Sequence, residues 1–163
     1  MNFLFYLSNF LIPILTVSRF IYDGCRDYFA QLALSSVVQF WKSVGTHKIR
    51  KSIQGGLCDA IDILGNQWHP EKDPSDYLFT CPKMRSSMAL IRLPDSISGN
   101  ETNYKTSCDA KALQDFLYDH MIEVPIKCIA NRLYVRISCH VYNKADEYDK
   151  LGIIINILAN GMI

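Results

Sequence analysis

Two rhythms of apolar and polar positions divide this chain, one at helical spacing and one that alternates residue by residue. Leu32, Val37, Phe40 and Trp41 fall at spacings that predict a helix over 29–41 with a wide apolar stripe. A second helix is expected over 47–64, weakened in its middle by Gly55-Gly56. The segment from Gly65 to Cys81 is polar, holds Pro70 and Pro74 and runs into Pro82, so it reads as an interdomain connection. From about Met84 the predicted order is strand, helix, strand, strand, helix, the pattern of a compact α/β or α+β layer. Its first strand is expected over 87–93, followed by a long polar loop over 94–108. A helix over 109–121 carries Leu113, Phe116, Leu117, His120 and Met121 along one side, with Ser107 or Asp109 suited to cap it. Strands over 123–126 and 133–138 flank the turn-like Ala130-Asn131-Arg132, and Asn143 can cap a last helix with Tyr148, Leu151, Ile155 and Leu158 on one face.

Composition adjusts this picture only a little. With 163 residues and 49% hydrophobic content the chain can bury a sizeable core, and a soluble α/β protein is the default expectation. Seventeen Lys and Arg against sixteen Asp and Glu give a formal charge of +1 without long runs of either sign, which argues against a nucleic-acid partner. The six cysteines are scattered with no CxxC pair, so structural zinc is not expected and reduced thiols in a cytoplasmic protein are. Asn100-Glu101-Thr102 matches the glycosylation pattern by accident in such a compartment. The apolar start, Met1 to Ser18, has no basic flank, carries Asn2 and Asn9, and is broken by Pro13. A buried strand over 14–17 is therefore expected there in preference to a membrane anchor.

Few residues suggest chemistry by themselves. In the alternating strand, Leu133, Val135 and Ile137 point one way and Tyr134, Arg136 and Ser138 the other. Arg136 there could grip a carboxylate in a bidentate fork, or be an ordinary exposed arginine. The turn Asp23-Gly24-Cys25-Arg26-Asp27 could receive an anion on its backbone N–H groups, or be a surface turn with a local ion pair. Arg26 would lower the pKa of Cys25, but no histidine is placed by sequence to activate it as a nucleophile. His69 and His140 are open to reading as general bases or as loop residues. No phosphate-binding glycine loop, HExxH or GxSxG is present.

These stretches, taken in order, resemble the class V aminotransferase group of fold-type I pyridoxal-phosphate enzymes, most closely its isopenicillin N epimerase-like branch. Residues 12–18 (IPILTVS) are similar to the family's "PLVVS" strand, and residues 20–28 (FIYDGCRDY) to its "F-x-W-x-G-T-R-D-Y" turn. Val37 to Gly45 with Ile49-Arg50 are similar to the "FW…G…IR" helices that follow. Residues 122–126 (IEVPI), 133–138 (LYVRIS) and 141–143 (VYN) are similar to its "IEVPV…LWVRIS…VYN" ending, the most specific of these matches.

The resemblance implies the C-terminal fragment of a fold-type I pyridoxal-phosphate-dependent transferase. Residues 1–66 would be the tail of the large cofactor domain with an interdomain helix, 67–83 a connection, and 84–163 the small C-terminal domain. It also implies that Arg136 holds the α-carboxylate of an amino-acid substrate, and that Gly24 and Cys25 contact the cofactor phosphate across a homodimer interface. Cys25 stands where the family has threonine, and a thiol is a poor hydrogen-bond donor. The family's Schiff-base lysine, the acid at its pyridine nitrogen and the aromatic on its ring lie upstream of the "PLVVS" strand. Pyridoxal phosphate is thus expected in the full-length context and not on this chain alone, with lyase, desulfurase or desulfhydrase, epimerase or transaminase chemistry. Two alternatives stand beside this: a non-catalytic binding or dimerisation module that pairs with a full-length paralogue, and a small membrane-anchored protein.

Overall fold

The computed structural model describes residues 28–79, 86–100 and 102–161. The chain divides into two compact units, Met1–Val44 and Gly45–Ile163. In the first, only helix α1 (Phe29–Val44) and the residue before it are described, so the strand expected over 14–17 lies outside the described residues. The apolar positions expected to form its stripe give α1 its amphipathic character, yet none of its residues is buried, and Leu32, Val37 and Phe40 are exposed.

The second unit is an antiparallel sheet covered on one face by helices. Helix α2 (Thr46–Trp68) leads into a one-turn helix α3 (Pro74–Tyr77), strand β1 (Met88–Arg92) and a second short helix α4 (Asp95–Ser98). Helix α5 (Ser107–Asp119), the hairpin β2 (Ile126–Ile129) and β3 (Arg132–Ser138), and helix α6 (Ala145–Ala159) complete it. The strands lie in the order β1-β3-β2, with Ile91 opposite Val135 and Ile126 opposite Val135 on its other side. Ala130 and Asn131 both hold positive φ (48° and 61°), the two-residue turn whose twist matches a right-handed hairpin.

Alternation decides which face is dry. Ala89, Ile91, Leu133, Val135 and Ile137 are all at most 4% exposed and join Leu57, Ile61 and Leu64 of α2, Leu113 and Leu117 of α5, and Leu151 and Ile155 of α6 in one core. The mixture of helices and a small sheet agrees with the α/β expectation, and the alternation expected in β3 is the one observed.

Several boundaries differ from the sequence reading for local physical reasons. Thr106, one residue before the expected cap, closes α5 with a capping box: its hydroxyl accepts from the Asp109 N–H while the Asp109 carboxylate accepts from the Thr106 N–H. Asn143 does not cap α6 directly. Lys144 takes that position, and Asn143 donates to the Glu147 carboxylate at 2.9 Å while its Oδ1 accepts from the His140 N–H. The strand expected over 123–126 forms later, at 126–129, and part of the expected loop over 94–108 winds into α4.

The polar segment after Gly65 is packed where it is described. Trp68, His69, Tyr77 and Leu78 are each at most 9% exposed, and α2 continues four residues past its expected end. The signal for this lies in the aromatic residues among the polar ones. His69 stacks on Tyr77 with ring centroids 4.9 Å apart. Its Nε2 donates to the Arg92 carbonyl at 2.9 Å, since a carbonyl can only accept. Gly65 is what admits Tyr77, because a Cβ there would lie 2.3 Å from the tyrosine oxygen.

Burial holds the His69 pKa below 6.5; the cations of Lys72 and Arg92 push the same way, while its bond to the Arg92 carbonyl and the Asp95 carboxylate oppose. The unfolded chain therefore takes up this proton first as pH falls. The stability His69 contributes is full above about pH 6.5 and declines as pH drops through that value. Asp95 and Glu147, held low by Lys72 and by Asn143 respectively, add losses only below their ordinary values of 3.8 and 4.5. The urea midpoint should thus fall between about pH 7.5 and 5.5, and His69→Gln should remove most of that fall. An unchanged midpoint over this interval in the parent chain would count against a buried neutral His69.

Candidate functional site

The strand that carries Arg136 is the central one of the sheet, and its register fixes where the guanidinium emerges. Arg136 lies opposite Leu90, and its backbone N–H donates to the Pro125 carbonyl at 2.9 Å. That bond joins β3 to the segment 122–125 just before β2. Met121, with φ of 60°, makes the turn that brings the segment off the end of α5, and Gln114 holds it by accepting from the Ile126 N–H. Between this segment, the end of β3 and the start of α6 lies a cavity of about 370 Å³. Arg136, Glu123, Ser138, Asn143, Glu147 and Tyr148 are among its lining.

Among the described residues Arg136 and Lys150 are the cations that line the cavity, and Glu123 and Glu147 are its carboxylates. Arg136 is exposed and makes no ion pair with any described residue. Glu147 is taken up by the start of α6, where its carboxylate accepts from Asn143 and from the Lys144 N–H; these bonds hold its pKa low. Tyr148 is buried and donates its hydroxyl to the Ser138 carbonyl at 2.7 Å. Burial and the neighbouring Cys139 push its pKa upward, so it remains a protonated donor that anchors α6 to the end of β3.

The other candidates fall elsewhere. His69 belongs to the packed turn after α2, and His140 stacks on Tyr142 at 4.6 Å instead of lining the cavity. Gly24 and Cys25 lie outside the described residues, so the arrangement at that turn is not described. Asn143 was legible only as a helix cap and Glu147 was missed; the Glu four positions after Asn143 was the available signal for their pairing. Among the described residues no group of His, Cys, Asp and Glu could hold a metal, and no helix is long and apolar enough to cross a membrane.

The cavity suits the carboxylate end of an amino acid better than pyridoxal phosphate. Among the described residues its only aromatic lining, Tyr148, is tied by its hydroxyl to the Ser138 carbonyl, and the described lining offers no cradle of glycine N–H groups for a phosphate.

No family model matches the chain. Two proteins of Oryza sativa subsp. japonica, named "Putative L-cysteine desulfhydrase 1" and "Putative L-cysteine desulfhydrase 2", are 27% and 30% identical to it, each over 85% of this chain and over 30% and 31% of their own length. L-cysteine desulfhydrase of Arabidopsis thaliana is 26% identical over 78% of this chain and 30% of its own. The chain therefore spans about 30% of the length of the curated relatives it matches. A crystal structure of 8-amino-7-oxononanoate synthase from Francisella tularensis superposes with a TM-score of 0.50 at 17% identity, covering 78% of this chain and 32% of that one. Together these findings support a relationship to the fold-type I pyridoxal-phosphate enzymes.

Proposed function

We propose that this chain is the C-terminal portion of a pyridoxal-phosphate-dependent amino-acid enzyme of the class V branch, working as a carbon–sulfur lyase on cysteine or a close analogue. In this reading Arg136 holds the substrate α-carboxylate. The observation that carries it is an exposed guanidinium on the central strand that makes no ion pair among the described residues and lines a cavity in which Glu147 is already taken up by the start of α6. A fork of two charge-assisted hydrogen bonds fixes both the position and the orientation of a planar carboxylate, which a lysine cannot do.

The cofactor, bound by the rest of the enzyme, supplies the electron sink for breaking bonds at the substrate's α and β carbons. What these residues contribute is orientation: Arg136 pins one end of the amino acid so that the bond to be broken is presented in one geometry. Residues 1–66 serve as the tail of the cofactor domain together with an interdomain helix, α2, whose Leu57, Ile61 and Leu64 pack into the core of the C-terminal layer, and Gly24 and Cys25 meet the cofactor phosphate across a dimer interface. The 163 residues by themselves hold no cofactor and do not turn over substrate.

The test is a chimera in which this chain replaces the corresponding C-terminal part of the Arabidopsis L-cysteine desulfhydrase. Sulfide release from L-cysteine is the expected result. A folded, cofactor-loaded chimera that releases no sulfide would remove the lyase assignment.

A further inference from the structure

A second group of cations lies on the same sheet, at the other end of β3 from the Arg136 cavity. Arg132 and Arg136 share a face of β3 and are four residues apart, so their Cα atoms are separated by about 13 Å. An amino acid whose carboxylate sits on Arg136 cannot reach Arg132. Arg132, Arg92, Asp95 and the backbone turn Gly99-Asn100 line a separate cavity of about 350 Å³.

The charges around this cavity do not balance. Among the described residues Asp95 is its one carboxylate, and it is shared: Oδ2 meets Lys72 Nζ at 2.5 Å while Oδ1 lies 3.4 Å from Arg92 Nη2. Lys72 holds the Asp95 pKa low, so the carboxylate is charged at neutral pH. Among the described residues two cations, Arg92 and Arg132, line the cavity against this carboxylate, and with Lys72, which reaches Asp95 from outside the lining, the group of four carries a surplus of two positive charges. Arg132 makes no ion pair among the described residues. Arg92 is poorly satisfied as well: its side chain is only 13% exposed, its Nε is buried without a partner, and its single ion pair is long. A guanidinium this far out of water ordinarily finds a strong acceptor.

Holding Arg92 in this way is a consequence of the fold. Its carbonyl is fixed by His69, and Arg92 and Tyr134 face each other across the β1–β3 ladder. Gly99, at φ 87°, lets the chain turn back tightly against Asn131, where a Cβ would meet backbone oxygens of Asn103 and Asn131 at 2.7 and 3.1 Å. Gly99 and Asn100 thus form part of the cavity wall beside Arg92 and Arg132.

We propose that this cavity is a second anion site that takes a tetrahedral oxyanion of the phosphate class, as a free ion or as a phosphate monoester. A dianion matches the surplus of two charges, and a tetrahedral group presents oxygens to Arg92 and Arg132 at the same time, which a single planar carboxylate does less well. The site is independent of the Arg136 assignment.

Titration calorimetry on the whole chain at low ionic strength tests it with two probes, inorganic phosphate and glycerol 3-phosphate. Saturable binding of one or both is expected, and the tighter probe shows whether the free ion or the ester is the better ligand. Arg132→Gln should weaken binding about tenfold or more. Asp95→Asn removes the competing carboxylate and should tighten binding, so the two variants move in opposite directions even if one is less stable. Arg136→Gln should leave the affinity unchanged. No saturable binding of either probe below about 10 mM would overturn the proposal. Equal losses in Arg132→Gln and Arg136→Gln would also overturn it, since they would indicate general attraction of anions to the sheet.

Discussion

In a chimera that turns over L-cysteine, Arg136→Ala should raise KM about 100-fold while the absorbance of the bound cofactor stays unchanged. That factor corresponds to about 2.7 kcal/mol, within the range for losing one partner of a charge-assisted pair in a closed site. Arg136 is exposed in this chain, so the full value applies only where the rest of the enzyme closes over the cavity and excludes water. Arg136→Lys keeps the charge but loses the fork, and should recover part of the affinity and little of the orientation. A carboxylate held only for binding would affect KM alone. One that also sets the reacting geometry would lower kcat as well, and the two parameters separate these roles. If Arg136→Ala instead bleaches the cofactor band, the residue supports the cofactor pocket. If KM does not move, the substrate carboxylate is held elsewhere.

This outcome bears on how much of the site could be seen before any coordinates. The side to which Arg136 points follows from alternation, a property of any strand with one dry face, so Leu133, Val135 and Ile137 were sufficient to orient it. The cavity beside it was not legible. It depends on Met121 adopting positive φ and on the Pro125 carbonyl pairing with Arg136 across the chain, neither of which has a composition signal. The same contrast holds for the fold. Periodicity located α5 and α6 to within a few residues, because each has a continuous apolar face. It failed for 65–79, where sparse aromatic residues in a polar stretch pack through a histidine–tyrosine stack and a glycine contact instead of a repeating stripe. The second cation cluster was invisible for a related reason: Lys72, Arg92, Asp95 and Arg132 are spread over sixty residues and are brought together by the pairing of β1 with β3 and by the ion pairs of Asp95 with Lys72 and Arg92.

Ile91→Ala should be among the most damaging single substitutions to stability, at about 2 to 5 kcal/mol. Ile91 is 0% exposed, sits in β1 opposite Val135, and also pairs across an isolated bridge with Leu78. Truncating it opens a cavity where β1 meets α2, and the backbone ladder on both sides prevents the strand from collapsing into it. A domain of this size is commonly stable by about 5 to 15 kcal/mol, so the loss would be a large part of the total. Leu90, its neighbour, is the control. It faces the other side of the sheet, opposite Arg136, and is only half-buried, so Leu90→Ala should cost less than about 1 kcal/mol. Urea unfolding of both variants, read as a change of midpoint at constant slope, gives the comparison directly. Should Leu90→Ala cost as much as Ile91→Ala, the face that carries Arg136 and Arg132 would be covered in solution. The cavities on that face would then open into an interface and not into water, and both anion assignments would have to be rebuilt around whatever covers them.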